Sequence, residues 1–160
     1  MKNTDKAAIL ALIIQQLETD INISAQAVKM ARDTATHKDC LGSSKYETMG
    51  LEASYLAQGQ GTRLLELERS LAYFKQVKLQ ESTSITLETY IILNDEDDKQ
   101  TCLWMAGDAG GLKVPYQQQI ITVITPKSPL GKAIMGKNIG DDFSLKIMAH
   151  EKSFEVLSLI

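Results

Sequence analysis

The chain has 160 residues, 44% hydrophobic and 23% charged, with a net charge of −3, a balance that excludes a disordered polymer. Residues 1–78 hold ten Lys/Arg against nine Asp/Glu, and residues 79–160 hold seven against eleven. Neither part has the dense basic surface that binds nucleic acid by phosphate neutralisation, so any work on nucleic acid goes indirectly, through another macromolecule. Cys40 and Cys102 form neither a C-x-x-C pair nor a disulfide framework, which fits a reducing, cytoplasmic setting. The apolar run Ala7–Ile14 is far shorter than the ~20 residues needed to span a bilayer, so no membrane is expected.

From Asp5 to about His37 there is no Gly or Pro. Leu10, Ile14, Leu17, Ile21, Ser24, Val28, Ala31 and Ala35 recur in steps of four and three, the spacing that returns side chains to one helix face. Asn3 or Thr4 is the expected cap at its start. The segment Lys38–Ser44 reads as a turn, with Gly42 free to take positive φ and Ser43 or Ser44 able to cap a new helix. Ser44 and Glu47 have capping-box spacing. A second pattern runs Tyr46, Gly50, Ala53, Ala57, Gln60, Leu64, Leu67, Leu71 and Phe74. Two helices of about 33 residues at ~1.5 Å per residue would each be ~50 Å long, and a short link makes them antiparallel. The seam is aliphatic at the root and small or polar towards the tip. Gly50, Gly59 and Gly61 each cost roughly 1 kcal/mol of helix propensity relative to Ala, so the tip half is the weaker half.

Beyond Lys78 the period changes to two. Strands are expected over Ser84–Leu93, Gln100–Ala106, Gln118–Thr125, Phe143–Ala149 and Phe154–Ile160, with His150-Glu151-Lys152 as the last turn. Trp104 is expected in the core. Ser128–Met135 reads as a short helix, capped by Ser128, opened by Pro129 and ended by Gly136. The expected fold is therefore α+β: an antiparallel coiled-coil hairpin over 1–78, with its tip at about 38–46, then a small β domain over 83–160 with one short helix.

The stretch Ser128–Asp142 resembles a segment of Gre-type transcript cleavage factors: Ser-Pro, a short helix with Ala, Gly-Lys, and Gly-Asp before a strand. The matching residues are Ser128, Pro129, Ala133, Gly136, Lys137, Gly140 and Asp141. The run Arg63–Leu71 is similar to that family's Arg-x-x-Glu-Leu-Glu-x-x-Leu, and the loop Ala106–Gly110 is similar to its Gly-containing acidic loop. The order, hairpin first and β domain second, also agrees. The resemblance implies an FKBP-like β domain that docks at the rim of the RNA polymerase secondary channel, with Ser128, Lys132, Lys137 and Asp141 as candidate contacts. It also implies a coiled coil that enters the channel and places acidic tip residues beside the polymerase's Mg²⁺. No cofactor belongs to the chain itself; Mg²⁺ would be shared with the polymerase. A monomer is expected.

The family tip reads Gly-Asp-x-x-Glu. With a one-residue length difference, Glu47 falls on the family's Glu and Ser44 replaces its Asp. A hydroxyl is a much weaker Mg²⁺ ligand than a carboxylate. Asp39 is the other tip acid that could serve, and Lys45 adds positive charge among Ser43, Ser44 and Tyr46. His37 and Cys40 are too few ligands for zinc, and no metal site of the chain's own is expected. Three readings of the tip stand: a capping box alone, a cleavage site built on Glu47 with Asp39, and a tip that modulates the polymerase without hydrolysis. The function expected is an RNA polymerase-binding elongation regulator, at most a stimulator of the polymerase's own transcript hydrolysis. The alternatives are an active cleavage factor and a plain interaction module that self-associates through Leu51, Leu56 or Leu65. A prolyl isomerase ranks last, since fold alone does not bring activity.

Overall fold

The structure is a computed structural model and describes residues 5–36 and 44–160; of residues 35 and 44–47 it describes the backbone alone. The elements in order are α1 (Lys6–Thr36), α2 (Ser44–Lys75), β1 (Thr89–Asp95), β2 (Gln100–Met105), β3 (Lys113–Tyr116), β4 (Gln119–Ile124), α3 (Pro129–Ile134), β5 (Asp142–Ile147) and β6 (His150–Leu159). They form two compact units, Met1–Ile13 with Tyr73–Ile160, and Ile14–Ala72. The sequence-based division lies near residues 79–83; the first turns of α1 and the last of α2 thus belong to the same unit as the sheet.

The unit Ile14–Ala72 consists of two helical segments. Leu17, Ser24, Val28 and Ala31 are buried on α1, and Ala53, Ala57, Leu67 and Ser70 on α2. In a unit built of two helices alone, each buried stripe is covered by the other helix, which makes the pair a hairpin. These stripes follow the expected seam. In the sheet-bearing unit burial moves to Ile9 and Ile13, one position before the expected Leu10 and Ile14. Ile9, Ile13 and Leu17 follow one another in steps of four, a row inclined to the helix axis, so the buried face turns away from the expected four-and-three seam. Asp5 supplies the cap: its Oδ1 accepts from the backbone N–H of Ala7 (2.9 Å) and Ala8 (3.2 Å). Asn3 and Thr4 lie outside the described residues.

The sheet has six strands in the order β3-β4-β2-β1-β6-β5. β2 and β4 are parallel, and every other pairing is antiparallel. One face carries Ile91 and Leu93 of β1, Leu103 and Met105 of β2 and Val156 of β6, which form a core with Ile85, Ile124 and Ile134 of α3. On the opposite face Tyr90 stands across from Trp104, and Trp104 across from Val123, all buried. The centre of the sheet is therefore apolar on both sides, as its near-continuous β-branched and aromatic sequence requires.

Six strands, rather than the five expected, result from β3. Its four residues include Pro115, which demotes a segment in any reading of strand pattern but is tolerated on an edge, where the missing N–H faces no partner. The expected strand from Ser84 begins instead at Thr89, because Glu88 takes a left-handed backbone (φ 62°). Its N–H donates to Met105 O at 2.7 Å, and Ser84 makes only an isolated bridge to Asn138. The last turn is Met148-Ala149, not His150–Lys152: Ile147 pairs with His150, and Met148 supplies the positive φ of 57° that a two-residue hairpin needs. Lys152, expected in that turn, instead reaches Asp95, Nζ to Oδ2 at 2.8 Å. Lys152 and the backbone N–H groups of Lys99 and Asp97 together hold the Asp95 carboxyl below its ordinary range.

The short helix agrees with expectation. Ser128 caps α3, its Oγ accepting from Gly131 N–H at 3.0 Å and donating to Thr125 O at 2.8 Å. Pro129 opens the helix, and Gly136 follows it with φ 81°. Gly131 is the residue this packing depends on. A Cβ built there would stand 1.9 Å from the Thr125 carbonyl oxygen, a backbone atom that cannot turn aside. Helix propensity favours Ala over Gly by about 1 kcal/mol, but the clash is the larger effect. Gly131→Ala is expected to lower stability by about 2 kcal/mol net. Urea unfolding followed by Trp104 fluorescence measures it; an equal or more stable variant would contradict the packing described.

Candidate functional site

The hairpin tip and the α3 loop hold the residues singled out by sequence, and the two lie in different compact units. At the tip, Asp39 and Ser43, with His37 and Cys40, lie outside the described residues. Ser44, Lys45, Tyr46 and Glu47 form the first turn of α2; their side chains are likewise outside what is described. A group four residues into a helix that follows the link is carried at the loop end of that helix. Among the described residues, no three His, Cys, Asp or Glu side chains converge as a metal-holding group.

On the α3 loop, the motif residues divide by what they touch. Ser128 is committed to capping. Asp141 closes the following turn on itself: its Oδ2 accepts from Asn138 N–H at 2.7 Å, and its own N–H donates to Asn138 O at 3.1 Å. The loop is further tied down by Ile85, whose N–H donates to Lys137 O and whose carbonyl accepts from Gly136 N–H, both at 2.8 Å. Gly140, with φ 86°, donates to Val156 O. Lys132 is exposed, and Lys137 places its ammonium 6.0 Å from the centre of the Phe143 ring, within cation–π range. Pro129, Met135 and Ile139 are exposed beside them. The result is a loop held by its own hydrogen bonds that presents two lysines among exposed apolar side chains, a surface suited to binding.

A third cluster has no counterpart in the sequence reading. Glu88 accepts from the Tyr73 hydroxyl through Oε1 and from the Trp104 indole N–H through Oε2, the latter at 3.0 Å. Tyr73 Oη in turn accepts from Gly107 N–H at 2.8 Å. Trp104 is thus a core residue with its one polar atom satisfied, as burial of an indole requires. Burial first, and then the bond to Glu88, push the Tyr73 phenol up to about 12. Nearby, Lys6 Nζ donates to Gln80 O at 2.8 Å; burial pulls its pKa down, opposed by the carboxylates of Glu88 and Glu81. Glu88 lies within the strand expected over Ser84–Leu93, and no sequence signal marks it as a hub. For Gly131 a signal existed: a glycine inside a short helix is a propensity violation that asks for a packing reason.

The sequence pattern described as "Transcription elongation factor, GreA/GreB, C-term" matches residues 115–160, which include α3, its loop and the last two strands. A "Transcription elongation factor GreA" from Ruegeria pomeroyi is 26% identical over 135 residues, covering 82% of this chain and 80% of that protein. Residues 115–160 thus match the C-terminal region of GreA/GreB factors, and the chain is similar to a GreA over most of its length. Among solved structures, "Structure of the transcription factor Gfh1" is 23% identical with a TM-score of 0.42, covering 94% of this chain and 92% of that one. GreA factor homolog 1 of Thermus thermophilus is also 23% identical, with a TM-score of 0.39 and 94% of each chain covered. The Gre motif residues therefore fall, in this chain, on a loop whose shape is set by Ser128, Gly131 and Asp141.

The Tyr73–Glu88 bond gives a pH-dependent test. The folded state holds the phenol proton more tightly than the unfolded chain does. Its contribution is therefore complete below the ordinary tyrosine value of 10.0 and lost as pH rises through about 12. Tyr73→Phe is expected to destabilise by about 1 kcal/mol at pH 8, the value of one partly exposed hydrogen bond. The difference from the parent should shrink above pH 10. Ultraviolet difference titration of parent against variant should show the missing tyrosine titrating near pH 12; titration near pH 10 would contradict the bonding described.

Proposed function

We propose that this chain acts as a Gre-type factor and binds RNA polymerase, with the hairpin entering the secondary channel and the α3 loop docking at the channel rim, and that it regulates elongation without supplying a full acid set for transcript cleavage. The match of residues 115–160 to the GreA/GreB C-terminal pattern, together with the two-helix hairpin, supports this reading. The helices have 31 and 32 residues, and at ~1.5 Å rise per residue each is roughly 47 Å long, enough to reach into a deep channel. Lys132, Lys137 and Ile139 are the side chains left free by the loop's internal bonds, and they are the proposed polymerase contacts; Ser128 and Asp141 act by shaping the loop.

At the tip, the loss of one family acid weighs against cleavage. Two-metal hydrolysis needs the second Mg²⁺ clamped by charged oxygens. With Ser44 in place of a carboxylate, the tip offers Glu47 and, at most, Asp39 towards a Mg²⁺ shared with the polymerase. The second reading, an active cleavage factor using Glu47 with Asp39, is favoured by the position of Glu47 in the first turn of α2. The chain acts as a monomer in the cytoplasm on this proposal, and nucleic acid is met only inside the polymerase. Among the described residues no helix is long and apolar enough to cross a membrane.

Two measurements separate the readings. The chain should co-purify with core RNA polymerase at moderate salt, and the pair Lys132→Glu with Ile139→Asp should weaken this at least about tenfold, as expected for loss of exposed anchors from an interface. Added to backtracked elongation complexes with Mg²⁺, the chain should release no 3′ fragments. Release that disappears in Glu47→Ala would establish the second reading instead, and failure to associate with polymerase would overturn both.

A further inference from the structure

We infer that the hairpin contains a built-in joint part-way along its length, formed by Ser24 of α1 and the Gly59-Gln60-Gly61 segment of α2. Three observations within the Ile14–Ala72 unit converge there. Ser24 is buried at 6% exposure, and among the described residues its Oγ has no hydrogen-bond partner. Gly59 and Gly61 sit inside α2 with nothing within 4 Å of where a Cβ would stand, so no close packing requires them. The buried stripe of α2 is also interrupted: between Ala57 and Leu67 no residue is buried. Ser24 stands twelve residues before the last residue of α1, and Leu56 stands twelve after the first of α2. In an antiparallel pair joined by a short link, Ser24 is therefore level with the Leu56–Gln60 stretch to within about one turn.

These features act in one direction. Each glycine weakens local helix formation roughly fivefold relative to alanine. The thin seam leaves little apolar burial to oppose opening. The dehydrated hydroxyl of Ser24 gains a water when the pair parts, so opening relieves a cost that only the closed state carries. Local opening or bending is thus concentrated at mid-length, and the turns nearer the link can swing as a piece. The joint rests on no reading of function.

Amide hydrogen exchange on the full chain, with rates corrected for intrinsic chemistry, tests it. Amides around Ala57–Leu64 and Ile21–Ala27 should exchange about tenfold faster than those in the flanking turns on both sides, a local minimum in protection. Gly59→Ala with Gly61→Ala, and Ser24→Ala added to them, should fill that minimum while leaving exchange in the sheet unchanged. A protection profile falling steadily from Ala72 towards Ser44 would mean simple fraying and overturn the joint. A minimum unaltered in the triple variant would do the same.

Discussion

One carboxylate organises the end of α2 on the sheet. Glu88 is bound on one oxygen by Tyr73 and on the other by Trp104, while its backbone, held left-handed, donates to Met105. The partners come from two elements, Tyr73 from α2 and both Trp104 and Met105 from β2, and each would be costly to leave alone. An indole N–H without an acceptor in the core loses its full solvation, and a carboxylate without donors would not tolerate partial burial. The left-handed backbone at Glu88 is a local strain that persists because these bonds over-determine it. That same strain delays the start of β1 to Thr89 and so fixes where the first strand enters the sheet.

Most of the architecture was legible because it follows from periodicity. Steps of four and three gave both helices and the right seam through Leu17, Val28, Ala31, Ala53, Ala57 and Leu67. Alternation gave the central strands, and Ser128-Pro129 with Gly136 gave α3 and its caps. The misses have physical causes. β3 is short and contains proline, so it has too few residues to establish a period. Met148-Ala149 lacks the Asn-Gly chemistry that ordinarily marks a two-residue turn, since a methionine carries the positive φ there. Glu88 departs from its strand pattern through bonds to residues distant in sequence, which no local window contains.

The site was legible in a different sense. The motif Ser128–Asp142 was found as a pattern, but the pattern mixes residues that build the loop with residues that remain available to a partner. Ser128 and Asp141 spend their polar atoms on Thr125, Gly131 and Asn138. Gly131, absent from the pattern, is the position where added volume has least room. Lys132 and Ile139 contribute little to the loop's internal bonding, and their chemistry is free to differ between related chains that share this shape. A family resemblance carried by such a motif speaks first to how the backbone is held. The chemistry at the tip is a separate matter, which the proposed reading assigns to Asp39, Ser44 and Glu47.

The edge position of Pro115 has a consequence for behaviour at high concentration. A sheet with free margins can recruit strands from neighbouring molecules, and the row of vacant donors and acceptors is what templates such growth. On the β3 side that row is only four residues long and interrupted where proline has no hydrogen to offer. A foreign strand arriving there would find too few points of attachment to hold its register. One margin of the sheet is in this way protected against polymerisation by the same residue that hid the strand from view.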